Sequence, residues 1–301
     1  MTKTLKDHFS IIRNRKEVIT EIYNKPELLY VYEGWTEEQQ TLFLDYCTGM
    51  RGVKILYDQF FKLILSPNQY PERLESILSA ILNEPVKILQ VLPNESTRIA
   101  AEKSLLVLDI VVELNDRSIA NVEVQKIGYN FPGQRSACYS ADLLLRQYKR
   151  IRGERQKKFS YKDIKSVYTI VLFEKSTADF HAFPDNYLHY FEQQSDTGLK
   201  LDLLQKFLMI PLDIFREKLH YNGISNKLDA WLLFLASDDP EDIIQLISEY
   251  PEFKAIYEQA YDICRNVENV MGIFSEELRI LDRNTVQLMI DEMQDTINNQ
   301  K

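Results

Sequence analysis

The sequence predicts an α/β (α+β) fold: a mixed central sheet flanked by helices, preceded by N-terminal helices and followed by a helical C-terminal region. Three observations predict it. Apolar residues recur every three or four positions from 16 to 65. Between about 86 and 215 the pattern changes to β-branched and leucine-rich runs, interrupted by one long helical stretch. Beyond Gly223 the helical spacing returns.

In the first stretch, Thr36-Glu37-Glu38-Gln39 has the form of a capping box, and Gly49 is placed to close the helix it opens. ILYDQFFKLIL (55–65) reads as a second helix stopped by Ser66-Pro67. PERLESILSAILN (71–83) reads as a third, with proline in the first turn, where its missing N–H is tolerated. VKILQVL (86–92), SLLVLDIVVEL (104–114) and SIANVEVQ (118–125) read as strands, and Asn115-Asp116-Arg117 has the composition of a hairpin turn. A long helix follows over about 134–151. IKSVYTIVLFE (164–174) is too apolar for an edge strand, and LQKFLMIPLDIF (204–215) reads as another strand. After Gly223, LDAWLLFLA, the start signal Asp238-Asp239-Pro240-Glu241, and the segments 257–264 and 276–297 are helical, with fraying expected at the last residues. The expected division is an N-terminal helical segment (1–50), a core (51–222) and a helical C-terminal region (223–301).

Composition excludes several classes. Hydrophobic residues at 45% and charged residues at 27% exclude collagen-like and disordered chains. The net charge of −9 supplies no global positive field, so binding to nucleic acid or an anionic membrane must be local. Three cysteines without a CxxC pair argue against a disulfide framework or a structural zinc site and for a reducing cytoplasm. The first residues lack an apolar signal region, and no apolar run reaches membrane-spanning length, so a cytoplasmic protein without membrane contact is expected. Walker, GxSxG, HExxH and GxGxxG strings are absent from the sequence. Cys138 reads as a buried structural cysteine, because no orienting base accompanies it.

One charge interrupts the most apolar strand: Asp109 in LLVLDIVV. A buried carboxylate is costly unless paired, hydrogen-bonded or bound to a metal. Glu123 and Gln125 share one face of the next strand by period two. A hairpin centred near Asp116 brings Asp109 opposite Glu123, at the roughly 5 Å separation of directly opposed side chains. Two converging carboxylates suit a hard cation such as Mg²⁺, which takes one or two carboxylates plus water and phosphate.

The order of these residues is a recognisable one: an acid on a helix (Asp58 in YDQFFK), then Asp109, Glu123 and Gln125, then a helix opening RSACY (135–139). It resembles the PD-(D/E)xK nuclease superfamily, and within it the recombination-promoting nuclease or transposase-associated branch, where glutamine often replaces the motif lysine. The likeness is closest from about Gly52 to Phe215, including Leu92-Pro93. It implies a restriction-endonuclease-like core and a metal-dependent DNA endonuclease linked to recombination or transposition. Asp109, Glu123 and the carbonyl of Val124 would hold Mg²⁺ or Mn²⁺, Gln125 would orient water, and Asp58 would be an outer ligand or water-holder. A neutral amide supplies no positive charge, so Lys126 and Arg135 are the cations available to replace it. The same resemblance sets Arg135 and Tyr139, one helical turn apart, beside the site as nucleic-acid contacts.

Residues 146–165 carry nine cations against two acids, a local +7 that leaves −16 on the rest of the chain. Lys149, Arg150, Arg152, Arg155, Lys157 and Lys158 are the residues expected to hold a DNA backbone. The rival reading is a catalytically inert nuclease-like module that binds nucleic acid or protein, favoured by the acidic balance and the missing lysine. A third makes the C-terminal helices a homo-oligomerisation element.

Overall fold

The computed structural model of the protein describes residues 4–93, 109–126 and 132–299. In chain order its helices are α1 (Arg15–Asn24), α2 (Pro26–Glu33), α3 (Glu37–Thr48), α4 (Asp58–Ile64), α5 (Pro71–Leu82), α6 (Pro132–Arg155), α7 (Ala178–His181), α8 (Leu212–Asn222), α9 (Lys227–Ala236), α10 (Pro240–Glu249), α11 (Glu252–Cys264) and α12 (Val267–Asn299). Its strands are β1 (Ile88–Val91), β2 (Ile110–Leu114), β3 (Ile119–Gln125), β4 (Val167–Phe173), β5 (His189–Phe191) and β6 (Gln205–Pro211). The chain forms two compact units: one of residues up to Ile64 together with those from Leu219 onward, the other of Leu65–Lys218.

The first unit is helical and joins the two ends of the chain. Short amphipathic helices cannot bury their apolar faces alone, and here they share an aromatic core. Trp35 packs against Phe43 and Phe274 with ring centroids 5.1 and 4.9 Å away, and Trp231 meets Phe253 at 4.6 Å. Capping boxes at Asn14–Glu17 and Thr36–Gln39 start α1 and α3. Gly49 ends α3 at φ +68°, where a Cβ would also lie 2.8 Å from Ile12, so two constraints require glycine. Among the described residues, no helix is long and apolar enough to cross a membrane.

The second unit carries a six-stranded sheet in the order β1-β2-β3-β4-β6-β5. β1, β2 and β3 form an antiparallel meander, β3, β4 and β6 run parallel, and β5 pairs antiparallel with β6. This mixed sheet flanked by helices is a restriction-endonuclease-like α/β fold. The β2–β3 turn forms where expected. Asp116 Oδ1 accepts from the Ser118 N–H at 3.0 Å, and Arg117 sits at φ +73°. β4 is central, as its apolar run requires. Helix α6 links β3 to β4 and buries Tyr139 and Leu143 against Val111, Ile119 and Val167. That contact fixes which face of β3 looks toward α6. Asn121, Glu123 and Gln125 share it with Ile119 by the two-residue period.

Three expectations need correction or limits. The run 204–215 is not one strand: β6 ends at Pro211, which has no N–H for a further ladder bond, and α8 begins at Leu212. Cys138 is exposed, because the buried stripe of α6 runs through Ser136, Tyr139, Ser140 and Leu143. Of the strand expected over 104–114, residues 104–108 lie outside the described residues. The three-residue β5 had no signal of its own and exists through its pairing with β6.

Candidate active site

The register of β2 and β3 builds the site. Ile110 pairs with Val122, so the next position brings Asp109 opposite Glu123, as the sequence predicted. The two residues bond each other's strand reciprocally. Glu123 Oε1 accepts from the Asp109 N–H at 3.1 Å, and Asp109 Oδ2 accepts from the Val124 N–H at 2.8 Å. In a strand, the N–H and C=O of one residue point to the same neighbour. The Val124 carbonyl therefore lies on the edge of β3 that faces Asp109.

Glu123 is 3% exposed. Burial and the Asp109 carboxylate push its carboxyl up to about 8, while the Asp109 N–H, the Asn121 amide and Arg135 act in the opposite direction. Two carboxylates held together in a dry setting repel one another, and a divalent cation would relieve that repulsion. The flanking groups on this face are also polar. Gln125 is 4% exposed, and among the described residues neither its Oε1 nor its Nε2 finds a hydrogen-bond partner; the Asn121 amide is buried beside the Glu123 carboxylate. A buried orphan amide calls for a ligand or water. Among the described residues no group of three or more His, Cys, Asp or Glu side chains could hold a metal ion, and what the fold brings together here is two carboxylates beside the edge of β3 that bears the Val124 carbonyl. That set fits a hard cation whose remaining positions go to water and phosphate.

Arg135 lies on the first turns of α6, where its Nε donates to the Tyr139 hydroxyl at 2.7 Å with the guanidinium 5.3 Å from the ring centroid. Its charge acts on Glu123, so Arg135 is a cation the fold brings to bear on the carboxylates. Tyr139 is 4% exposed, and its ring belongs to the core beneath α6. Lys126 is buried just past β3. Asp58 belongs to the helical unit, where its Oδ1 pairs with Lys62 at 2.7 Å. Asn121 was missed in the sequence, although the alternation Asn121-Val122-Glu123-Val124-Gln125 places it on the site face.

A family model for PD-(D/E)XK nuclease family transposases matches residues 55–287, more than half of the chain, and spans Asp109, Glu123 and Gln125. The chain belongs to this family. It matches no curated protein and no solved structure. Membership of a PD-(D/E)XK nuclease family of transposases supports a nuclease-like function with nucleic acid as the substrate class.

The basic residues of this family member divide into two sets. Arg150 is bound to Glu113, with Nη1–Oε2 at 2.7 Å and Nη2–Oε1 at 3.0 Å. Lys149, Arg152, Arg155, Lys157 and Lys158 are exposed on the end of α6 and the turn that follows. Helix α6 runs to Arg155, beyond the expected end, and cations in its last turn also complement the helix dipole. A Ser/His/Asp group elsewhere is no nucleophile. Ser176 Oγ and His181 Nε2 both converge on Asp213 Oδ2, at 3.0 and 3.3 Å, so one imidazole nitrogen faces both partners. A relay needs the two nitrogens to face different groups.

Proposed function

We propose that this protein is a metal-dependent endonuclease that hydrolyses DNA phosphodiester bonds, in the setting of transposition or recombination. The observation that carries this reading is the reciprocal Asp109–Glu123 pairing on two adjacent strands beside an orphan Gln125 amide. Asp109, Glu123 and the Val124 carbonyl would hold Mg²⁺ or Mn²⁺. When bound, such an ion lowers the pKa of water and stabilises charge developing on phosphate.

The chain's own residues then have definable tasks. The β2–β3 ladder fixes the carboxylates before substrate arrives, so little reorganisation is needed. Gln125 can orient a water through its carbonyl while its NH₂ donates to a phosphate oxygen. Arg135, held by Tyr139, supplies positive charge that the neutral Gln125 lacks. Lys149, Arg152, Arg155, Lys157 and Lys158 hold the backbone electrostatically. Catalysis is assigned to the core of residues 51–222, in a cytoplasmic setting. Self-association is assigned to the C-terminal helices, because Val286, Met289, Ile290, Met293 and Ile297 on α12 are about half exposed at helical spacing.

The test is nicking of supercoiled plasmid by the purified protein in Mg²⁺, Mn²⁺ or EDTA, beside Asp109→Ala. Metal-dependent nicking lost in Asp109→Ala is the expected result. Absence of cleavage with any metal, with salt-sensitive DNA binding intact, would favour the second reading, an inert nucleic-acid or protein binding module, for which the neutral Gln125 is the supporting observation.

A further inference from the structure

The sheet face that carries the carboxylates continues across the unit to a second feature. Strand register links Glu123 to Val171, Val171 to Met209 and Met209 to His189. Residues so paired share a face, and adjacent strands are about 4.8 Å apart, so Met209 lies roughly 10 Å from Glu123 along one row. At that end of the row is a cavity of about 470 Å³, lined by Phe180, Phe183, His189, Phe191, Phe207 and Met209, with Gly133 and Ala137 of α6 on its α6 side. Arg135 is on the same first turns of α6. The first turns of α6 therefore border the cavity and also carry the cation that acts on Glu123.

The lining is ring-rich and partly open. Phe180 and Phe183 meet the His189 ring edge-on, with centroids 5.2 and 5.9 Å away. Phe183 and Phe191 are 55% and 47% exposed, rings presented to solvent without cover. Exposed rings around a cavity mark a binding site rather than a surplus of core. The volume lies within the roughly 300–1,000 Å³ of small-molecule sites, and its polar groups are few: Asp179 at the rim and the His189 ring, whose Nε2 is 3.0 Å from the Asn186 carbonyl. Flat walls, one acceptor at the rim and no cationic lining select a flat, uncharged, amino-bearing ring rather than a phosphate.

We propose that this cavity receives an unstacked nucleobase of the strand held at Asp109 and Glu123, within a few nucleotides of the cut. The proposal rests on the nucleic-acid reading of the site. The base stacks against Phe183 and Phe191, and Asp179 accepts from an exocyclic amino group of adenine, cytosine or guanine. The pocket thereby fixes the register of the strand relative to the carboxylates, with single-stranded or easily opened DNA preferred over stable duplex.

Two variants test it without threatening the fold. Phe183→Ala removes an exposed ring. Gly133→Leu fills the cavity from α6, where an added Cβ meets nothing within 4 Å. Binding is read in EDTA by fluorescence anisotropy, so that it does not depend on cleavage, using single-stranded DNA oligonucleotides intact or carrying one abasic position. Wild type is expected to lose roughly tenfold in affinity when the abasic position coincides with the pocket, and both variants to bind intact and abasic strands alike. Equal affinity of wild type for every abasic strand would overturn the proposal, as would variants that keep the wild-type discrimination. A change of oligomeric mass in Gly133→Leu without any change in discrimination would also overturn it, by assigning the cavity to a second copy of the chain. Plasmid nicking is scored separately: nicking without base discrimination sinks the pocket alone, and discrimination without nicking sinks the hydrolase alone.

Discussion

Arg150 clamps Glu113 in a two-pronged ion pair on the α6 face of the sheet, with the Glu113 side chain only 2% exposed. Gln90 also donates to the carboxylate, and Arg117 approaches it at 3.5 Å. Burial alone would push the Glu113 carboxyl up, yet hydrogen bonds from Arg150 and Gln90 hold it below its ordinary range. Removing Arg150 leaves a buried charge with only Gln90 and Arg117 to compensate it, against the roughly 3–5 kcal/mol that a wholly uncompensated one costs. Arg150→Ala is therefore expected to lower stability by up to that order in urea unfolding, with Glu113→Gln in the same background recovering part of the loss. An Arg150→Ala protein as stable as wild type but weakened in DNA binding would instead make Arg150 a backbone contact.

Asp109→Asn separates charge from scaffold. An asparagine oxygen can still accept the Val124 N–H, so the β2–β3 ladder and the melting temperature should hold. Loss of one carboxylate should reduce metal-dependent nicking roughly a hundredfold or more. Gln125→Lys places a cation beside the two carboxylates and should raise the nicking rate; an unchanged rate would mean that Arg135 already supplies the needed charge.

The raised carboxyl of Glu123 makes the metal-free protein sensitive to alkali. Its ordinary value is 4.5, and in the fold it titrates near 8. Between these values the folded state keeps a proton that the unfolded state has released, so stability falls as pH rises through that window. The contribution is fully present below about 4.5 and lost above about 8. Urea midpoints measured in EDTA across this range should fall with pH in wild type. Glu123→Gln, which cannot titrate, should remove this part of the slope.

The exposed cations at the end of α6 predict a salt signature. Each phosphate contact contributes about 0.9 to the slope of log affinity against log salt on duplex DNA. Exchanging Lys149, Lys157 and Lys158 for glutamine should flatten that slope by roughly one per lysine and weaken binding at low salt, without altering the melting temperature. A slope identical to wild type would make these side chains ordinary solvated surface at a helix C-terminus.

The self-association proposed for α12 predicts concentration-dependent mass. Sedimentation of wild type should show an oligomer, and Met293→Lys with Ile290→Lys should yield the monomer with helicity retained. A monomeric wild type at every concentration would remove the assignment.

The pairing of Asp109 with Glu123 was legible because it rests on local rules. The turn signal at Asn115-Asp116-Arg117 fixes the register of its hairpin, and register alone brings Asp109 to Glu123. The capping box at Thr36 and the glycine at 49 likewise follow from backbone hydrogen bonding within a few residues. Other features carry no local signal. Arg150 sits in a run of cations that reads as uniform surface, and only α6 lying over β2 gives it Glu113 as a partner. Cys138 has the apolar neighbours of a buried residue, and the helix phase set by Tyr139 and Leu143 turns it outward.

The sequence by itself determined the alternation of helices and strands, the hairpin that pairs the two carboxylates, and the family, since each depends on residues close along the chain or on a fixed pattern. Only the tertiary structure decided that the N- and C-terminal helices form one aromatic core, that β5 exists at the sheet's edge, and that Phe183, His189, Phe207 and Met209 enclose a cavity on the carboxylate face. Each of those depends on segments far apart in sequence meeting in space, where burial of apolar surface outweighs the weak local preference of any one segment.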